Sequence, residues 1–157
     1  MPTNCLFDKG ITGCGGTELA LRNDIDTIIA VPTIGLVDNK VVQHQGEVLG
    51  VHGETLQSDI EDYLLAHSRK KIMVTYNSLS RVINTLRAHG YNVYKDFFLL
   101  VDEWHLLFND YIFRKDAIRG VLEEAPKFEA VTYMTATPIE EKYLFQEFRH
   151  LPVVEIV

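Results

Sequence analysis

The predicted fold is organised around the stretch Phe97-Phe98-Leu99-Leu100-Val101-Asp102-Glu103-Trp104-His105. Five apolar residues followed at once by two carboxylates predict a buried parallel strand that delivers two acids to its carboxyl end. Open α/β sheets bind their ligands in the crevice beyond that end of the strands. Asp102 would hold Mg²⁺ there, while Glu103 would orient and deprotonate an attacking water. The alternative to these catalytic roles is a strand that ends in a solvated acidic turn without a ligand.

Composition indicates one globular domain of ordinary size. The chain has 157 residues, of which 46% are hydrophobic and 24% charged, enough apolar material for a buried core. No apolar run is long enough to cross a bilayer and no charged-then-apolar leader opens the chain, so no membrane association is expected. Two cysteines, Cys5 and Cys14, are too few for a disulfide scaffold, which favours a reducing cytoplasm.

The charge balance limits the kind of partner that the chain can bind by electrostatics alone. Fifteen basic residues against twenty-two acidic ones give a formal net charge of −7. A stand-alone module that grips nucleic acid through a strongly basic face is therefore not expected. A weak nucleic-acid surface, or one shared with another domain, remains compatible with this charge.

A glycine-rich loop follows the first predicted strand, Cys5-Leu6-Phe7, and precedes a helix that starts near Glu18. This context predicts a phosphate cradle, because glycines let successive backbone N–H groups converge on an anion. The phosphate-loop pattern G-x-x-x-x-G-K-[ST] fits residues 10–17 with a single failure, since Gly16 occupies the lysine position. Thr17 keeps the hydroxyl that would reach Mg²⁺. The alternative is a glycine-rich turn without a ligand.

The remaining sequence predicts strands that alternate with helices. Such alternation implies crossover connections and a mainly parallel sheet covered on both faces, a three-layer α/β sandwich. The further expected strands are Thr27–Val31, Glu47–Val51, Ile72–Val74, Ala130–Met134 and Val153–Val157. The expected helices are part of 33–45, Glu54–Ser68, Ser78–His89 with Ser78 as N-cap and Gly90 as its stop, about Ile112–Glu124 after a turn at Asn109-Asp110, and Glu140–Phe148.

Four short motifs occur in order, each directly after a predicted strand. They are Thr12–Thr17, Pro32-Thr33, Asp102-Glu103-Trp104-His105 and Thr135-Ala136-Thr137-Pro138. This ordered set resembles the first RecA-like motor domain of superfamily 2 helicases, the DEAD/DEAH-box class and its translocase relatives, over nearly the whole chain. The resemblance implies a RecA-like P-loop NTPase fold for residues 1–157 as a single domain. It also implies ATP and Mg²⁺ as cofactors, and DNA or RNA and a second RecA-like domain, absent from residues 1–157, as partners.

The resemblance also implies a role for each matching residue. Thr17 and Asp102 would hold Mg²⁺, and Glu103 would be the general base for water that attacks the γ-phosphate. His105, with Thr135 and Thr137, would couple the nucleotide site to nucleic acid. The residues that would line the phosphate loop are Gly10, Thr12, Gly13, Cys14, Gly15, Gly16 and Thr17. The segments that would contact nucleic acid are Pro32-Thr33 and, more faintly, Thr75-Tyr76-Asn77.

Some of these residues have simpler alternatives. Pro32-Thr33 could be no more than a strand stop followed by a helix cap, and His105 an ordinary surface or core histidine. Trp104 is expected to serve packing, because one indole supplies a large apolar surface.

The missing phosphate-loop lysine raises the question of what neutralises the phosphates and whether the site is active. We hypothesise that Lys9, one residue before Gly10, reaches over the loop and replaces the absent ammonium, the alternative being an ordinary solvated lysine. The leading expectation is the nucleotide-binding half of an ATP-dependent helicase or translocase. The alternatives are a catalytically inactive helicase-like scaffold or regulatory binding module, and a terminase-like ATPase motor, which also places paired acids after a strand.

Overall fold

A single parallel sheet forms the centre of the molecule, described here by a computed structural model that covers residues 3–8, 15–105, 107, 115–135 and 151–155. Its strands are β1 (Cys5–Asp8), β2 (Thr27–Val31), β3 (Leu49–Val51), β4 (Lys71–Thr75), β5 (Phe98–Asp102), β6 (Ala130–Thr135) and β7 (Val153–Glu155). They are ordered β3-β4-β2-β5-β6-β1-β7, and each neighbouring pair is parallel. The predicted mainly parallel sheet is confirmed.

Helices cover both faces of this sheet. They are α1 (Gly16–Arg22), α2 (Ile34–Gln43), α3 (Gln57–Ala66), α4 (Leu79–Ala88), α5 (Val93–Asp96) and α6 (Lys115–Glu124), with 3-10 turns at Tyr76–Ser78 and Ala125–Lys127. One core lies under α1 and α2, and the other lies under α3, α4, α5 and α6. Alternate residues of β5 enter the two cores, Leu99 and Val101 the second and Phe98 and Leu100 the first. The predicted three-layer sandwich is therefore confirmed.

Strand β3 and helix α3 begin later in the chain than the sequence predicted. The chain turns at 44–47, where the N–H groups of Glu47 and Val48 donate to the carbonyl of His44, so β3 begins only at Leu49. Helix α3 begins at Gln57 because the preceding loop is held by its own hydrogen bond, from the His52 N–H to the Thr55 hydroxyl. Residues 109–114, 140–148, 156 and 157 lie outside the described residues.

The predicted end of α4 at Gly90 is confirmed, whereas Ser78 does not cap the start of the helix through its side chain. Ser78 precedes the helix, but its side chain makes no capping hydrogen bond, since a 3-10 turn leads into the first helical turn instead. Gly90 does end the helix, with φ at +89°, a left-handed conformation that favours glycine. The N–H of Gly90 donates to the carbonyl of Arg87, and that of Tyr91 donates to the carbonyl of Leu86. This is the double hydrogen bond of a Schellman motif.

Lysine 71 fixes the helix that carries Thr17. It is a buried residue at the start of β4, and its Nζ donates to oxygens at the end of α1 and in the turn that follows. The four acceptors are the carbonyls of Ala20 and Ile25, the side-chain amide of Asn23 and the hydroxyl of Thr27, at 2.6–3.1 Å. A buried ammonium is stable only when its protons are satisfied in this way. The bonds hold the end of α1 against the sheet.

Helix α2 approaches the edge strand β3 closely at Gly50. A Cβ at that position would lie 2.6 Å from Val41 Cγ2 and 2.8 Å from Val37 Cγ1, both too short for carbon atoms. Valine side chains are stiff and cannot turn away easily. The missing side chain of Gly50 therefore sets the distance between α2 and the sheet.

We expect Gly50→Ala to lower the free energy of unfolding by about 2 kcal/mol, because the added methyl forces α2 and β3 apart. Urea unfolding measures the change. Gly53→Ala is the matched control, since a Cβ there meets no atom within 4 Å. Equal stability of the two variants would contradict this account of the packing.

Candidate functional site

Most of the predicted site residues that the structure describes lie at the carboxyl edge of the sheet. Because all strands are parallel, their carboxyl ends share that edge, and α1 begins there as well. Thr17 is in the first turn of α1, Asp102 is the last residue of β5, and Thr135 is the last residue of β6. Glu103 and His105 follow β5 directly. The structure thus brings together residues that are up to 118 positions apart in the sequence.

The carboxylate of Asp102 is buried and accepts hydrogen bonds from Thr17 and Glu103. The Thr17 hydroxyl donates to Oδ2 at 3.2 Å, and the backbone N–H of Glu103 donates to Oδ1 at 2.9 Å. Only 8% of Asp102 is exposed, so its orientation depends on these bonds rather than on solvent. The hydroxyl of Thr17 and the carboxylate of Asp102 thus bring their oxygen atoms together at one point of the edge.

Glutamate 103 has a backbone conformation that is rare for a residue with a side chain. Its φ is +54°, in the left-handed region, which costs on the order of 1–2 kcal/mol for an L-amino acid. Neighbouring contacts hold the turn in this state. The Tyr76 hydroxyl donates to the carbonyl of Asp102 at 2.6 Å and lies 3.2 Å from that of Glu103. The backbone N–H of Trp104 donates to the carbonyl of Met134 at 3.2 Å.

Histidine 105 links the ends of two neighbouring strands. Its Nδ1 lies 2.6 Å from Thr135 Oγ1 and 3.6 Å from Glu103 Oε2. Both side chains of the His105–Glu103 pair are mostly buried. Trp104 is 3% exposed and belongs to the core under α3, α4, α5 and α6, which confirms its expected packing role. An imidazole between a candidate base and the next strand could pass a displacement from one to the other.

A shallow groove lies beside this site, at the carboxyl ends of β2, β3 and β4. It has a volume of about 390 Å³ and is lined by Pro32, Ile34, His52, Gly53, Glu54, Thr75 and Asn77. Pro32 and Thr75 meet there because β2 and β4 are neighbours in the sheet, with Val31 paired to Thr75. Thr33 is exposed and caps α2, its hydroxyl accepting the N–H of Leu36 at 3.4 Å. The cap alternative accounts for Thr33 on structural grounds.

The phosphate loop itself is largely outside the described residues. The predicted site residues that lie outside the described residues are Lys9, Gly10, Thr12, Gly13 and Cys14, in or next to the loop, and Thr137. Of the loop residues that are described, Gly15 has φ at +90°, a conformation that favours glycine, and directly precedes α1. Gly16 is the buried first residue of the helix.

Two contributions to the site could not be predicted from the sequence. Tyr76 was expected only as part of a nucleic-acid segment, because a tyrosine after a strand gives no sign of which carbonyls its hydroxyl will reach. Glu18 is the other: its carboxylate binds Lys40 Nζ at 2.6 Å and His44 Nε2 at 3.0 Å, both on or next to α2. Hydrogen bonds from Lys40 and then His44 lower the pKa of Glu18 to about 2. This cluster ties the first turn of α1, and so Thr17, to α2.

Comparison with known proteins identifies the fold. No protein-family profile matches the sequence, and no curated protein matches it significantly. Among solved structures, a hypothetical ATP-dependent RNA helicase from Sulfolobus tokodaii superposes with a TM-score of 0.59, at 17% identity, over 98% of this chain and 48% of that one. The chain has a RecA-like α/β fold, similar to that of helicase structures.

Two further structures agree with this fold. A DEAD box protein from Methanococcus jannaschii has a TM-score of 0.57 at 16% identity, covering 97% of this chain and 45% of that one. The Hef helicase domain of Pyrococcus furiosus has a TM-score of 0.52 at 17% identity, covering 98% and 35%. This RecA-like domain thus spans less than half of each protein. Among its described residues, no helix is both long and apolar enough to cross a membrane.

The Glu18 cluster predicts how this RecA-like domain responds to acid. Because the pKa of Glu18 falls from an ordinary value near 4.5 to about 2 on folding, its contribution to stability is complete above pH 4.5. The contribution is lost as the pH falls toward 2.

We therefore expect Glu18→Gln to lower the free energy of unfolding by about 1–2 kcal/mol at pH 7, allowing for partial solvent screening. The difference from the wild-type protein should shrink between pH 4.5 and 2, as measured by urea unfolding at several pH values. Glu123→Gln, at an exposed position on α6, controls for the loss of one negative charge. A difference that stays constant down to pH 2 would contradict the assignment.

Proposed function

We propose that this chain is the nucleotide-binding half of an ATP-dependent nucleic-acid helicase or translocase. One observation carries the proposal: within a RecA-like fold, Thr17, Asp102 and Glu103 converge at the carboxyl edge of the sheet, beside His105 and Thr135. Apart from the phosphate-loop lysine, which Gly16 replaces, these are the kinds of side chain that phosphate hydrolysis in such a fold uses. Residues 1–157 would form the first motor domain.

The oxygen atoms at the site fit Mg²⁺. The ion prefers hard oxygen ligands and is typically held by one or two carboxylates together with substrate phosphates and water. The Thr17 hydroxyl and the Asp102 carboxylate, 3.2 Å apart, supply such a pair. In the parts of the chain that the structure describes, no group of three or more His, Cys, Asp or Glu could hold a metal. ATP phosphates would complete the shell, and the bound ion would neutralise the charge that develops on them.

Glu103 would be the general base for the attacking water. Glu103 directly follows Asp102, the proposed Mg²⁺ ligand at the end of β5, and its backbone has the left-handed φ of +54°. A base must lie within hydrogen-bond reach of the water that it activates, so the fixed backbone of Glu103 favours this role. The contacts of His105 with both Glu103 and Thr135 would couple the base to the end of β6.

Nucleic acid would bind in the groove that Pro32, Thr75 and Asn77 line. The groove opens at the same edge of the sheet as the acids, so a strand of DNA or RNA could influence hydrolysis over a short distance. With a net charge of −7, binding by this chain alone would be weak and sensitive to salt. A second RecA-like domain would supply the other wall of the cleft, since the helicase structures are more than twice as long as this chain.

Two features of the sequence bear on the alternative functions. Gly16 in place of the phosphate-loop lysine favours an inactive helicase-like scaffold or regulatory binding module. The presence of Thr17, Asp102 and Glu103 together favours an active site, because a module without activity does not need all three. The similarity to helicase domains gives no support to a terminase-like motor.

The role of Glu103 predicts the effect of removing its basicity. Glu103→Gln in the full-length protein should lower nucleic-acid-stimulated ATP hydrolysis by at least about 100-fold, because the amide keeps the shape but accepts no proton. The dissociation constant for ATP should change little. Steady-state hydrolysis and nucleotide titration measure the two effects, with Glu123→Gln as the control. Unchanged turnover in Glu103→Gln would remove the basis of the proposed function.

The role of Lys9 predicts a difference between nucleotides. If Lys9 replaces the missing lysine, Lys9→Ala should weaken ATP binding much more than AMP binding, since only the outer phosphates lose a partner. Adding Gly16→Lys to that variant should restore ATP affinity. Calorimetric titration of both nucleotides decides the question. Near-wild-type affinities in Lys9→Ala would show that Lys9 is an ordinary solvated lysine.

A further inference from the structure

We propose that Tyr76 is a positioning residue for Glu103: its hydroxyl holds the backbone turn that places the candidate base. The proposal rests on the proposed role of Glu103 in hydrolysis. Tyr76 would not touch the nucleotide or the attacking water. It would act only through the two carbonyl groups that it contacts.

The position of Tyr76 in the fold makes this contact possible. Tyr76 follows β4, which is separated from β5 in the sheet by β2. Its side chain therefore extends past the end of β2 to reach the end of β5. The residue is 2% exposed, and its hydroxyl lies 2.6 Å from the carbonyl of Asp102 and 3.2 Å from that of Glu103. Water competes poorly for a hydrogen bond in so buried a place.

The contact matters because of the conformation that it holds. The left-handed φ of Glu103, +54°, is unfavourable for a residue with a side chain and persists only where the surroundings stabilise it. The two carbonyls that Tyr76 contacts flank this φ angle. Without the hydroxyl, the turn can relax toward a right-handed conformation, which would move the Glu103 carboxylate away from His105, now 3.6 Å distant.

The 3-10 turn that contains Tyr76 lies beside the groove. Thr75 and Asn77, the residues on either side of Tyr76, both line it. Thr75 ends β4 and Asn77 lies in the 3-10 turn Tyr76–Ser78, so a ligand that displaces either residue would also move the backbone of Tyr76. Tyr76 would thus link nucleic acid in the groove to the position of the base.

Tyr76→Phe tests the proposal, because it removes the hydroxyl and keeps the ring. Tyr63→Phe is a matched control: Tyr63 is also buried, and its hydroxyl donates to the carbonyl of Glu47 at 2.6 Å and contacts Lys71, at the opposite end of β4. Each variant removes one hydroxyl that is bonded to the backbone. A similar loss of thermal stability in both variants would be the expected structural cost.

The first measurement needs no nucleotide. Trp104 is the single tryptophan of the chain and directly follows Glu103, so its fluorescence reports on the turn. We expect Tyr76→Phe to raise the acrylamide quenching constant of Trp104 about twofold or more, since the indole, 3% exposed, becomes more accessible. Tyr63→Phe should leave the quenching constant unchanged.

The second measurement is nucleic-acid-stimulated ATP hydrolysis by the full-length protein. Tyr76→Phe should lower kcat roughly 10- to 100-fold, the range expected for a misplaced base, with KM for ATP within about twofold of the wild type. Tyr63→Phe should retain the wild-type kcat. A Tyr76→Phe variant that matches Tyr63→Phe in both quenching and kcat would overturn the proposal.

The two proposals can fail separately. If Glu103→Gln keeps full turnover, the proposed function is wrong, while the quenching of Trp104 still decides whether Tyr76 holds the turn. If Glu103→Gln is inactive and Tyr76→Phe behaves as the control does, only the positioning role is lost.

Discussion

Strand β5 is buried on both faces and paired on both edges, and the geometry of the candidate site depends on that burial. Leu99, Leu100 and Val101 have no exposed surface, and each contributes about 2 kcal/mol of hydrophobic stabilisation as an upper estimate. Pairing with β2 and β6 fixes the register of the strand. This register places Asp102 at the carboxyl edge of the sheet, beside the end of β6.

Polar groups near the end of β5 satisfy one another instead of facing water. The Asp102 carboxylate accepts from Thr17 and Glu103, and the carbonyls of the turn accept from Tyr76. Buried polar groups that are fully bonded in this way specify one arrangement strongly, because any other leaves a partner unsatisfied. The rare conformation of Glu103 is stabilised by this network. Strain of this kind is concentrated at functional sites in many proteins.

Contacts far from the edge support the site indirectly. Lys71 holds the end of α1 through buried hydrogen bonds, and Glu18 ties the start of the same helix to Lys40 and His44. Thr17 lies between these two attachments. A short helix of seven residues is marginal by itself, so its position relies on such tertiary contacts.

The alternation of strands and helices, the buried strand that ends in two acids and the order of the motifs could all be predicted from the amino-acid sequence. These follow from local patterns: a run such as 97–101 can be buried only as a central strand or core segment, and Gly90 can end a helix without strain. The convergence of Thr17, Asp102 and Glu103 could also be expected, because parallel strands share their carboxyl edge.

The other side chains of the candidate site became apparent only from the three-dimensional structure. The bond from Tyr76 to the carbonyl of Asp102 and the cluster around Glu18 join residues 22 to 26 positions apart, with no periodicity to reveal them. The left-handed turn at Glu103 is not a local preference of glutamate, so no sequence signal points to it. The boundaries of β3 and α3 likewise depended on hydrogen bonds of the adjoining loops. Local propensity selects the elements, whereas long-range hydrogen bonds fix the atoms that chemistry needs.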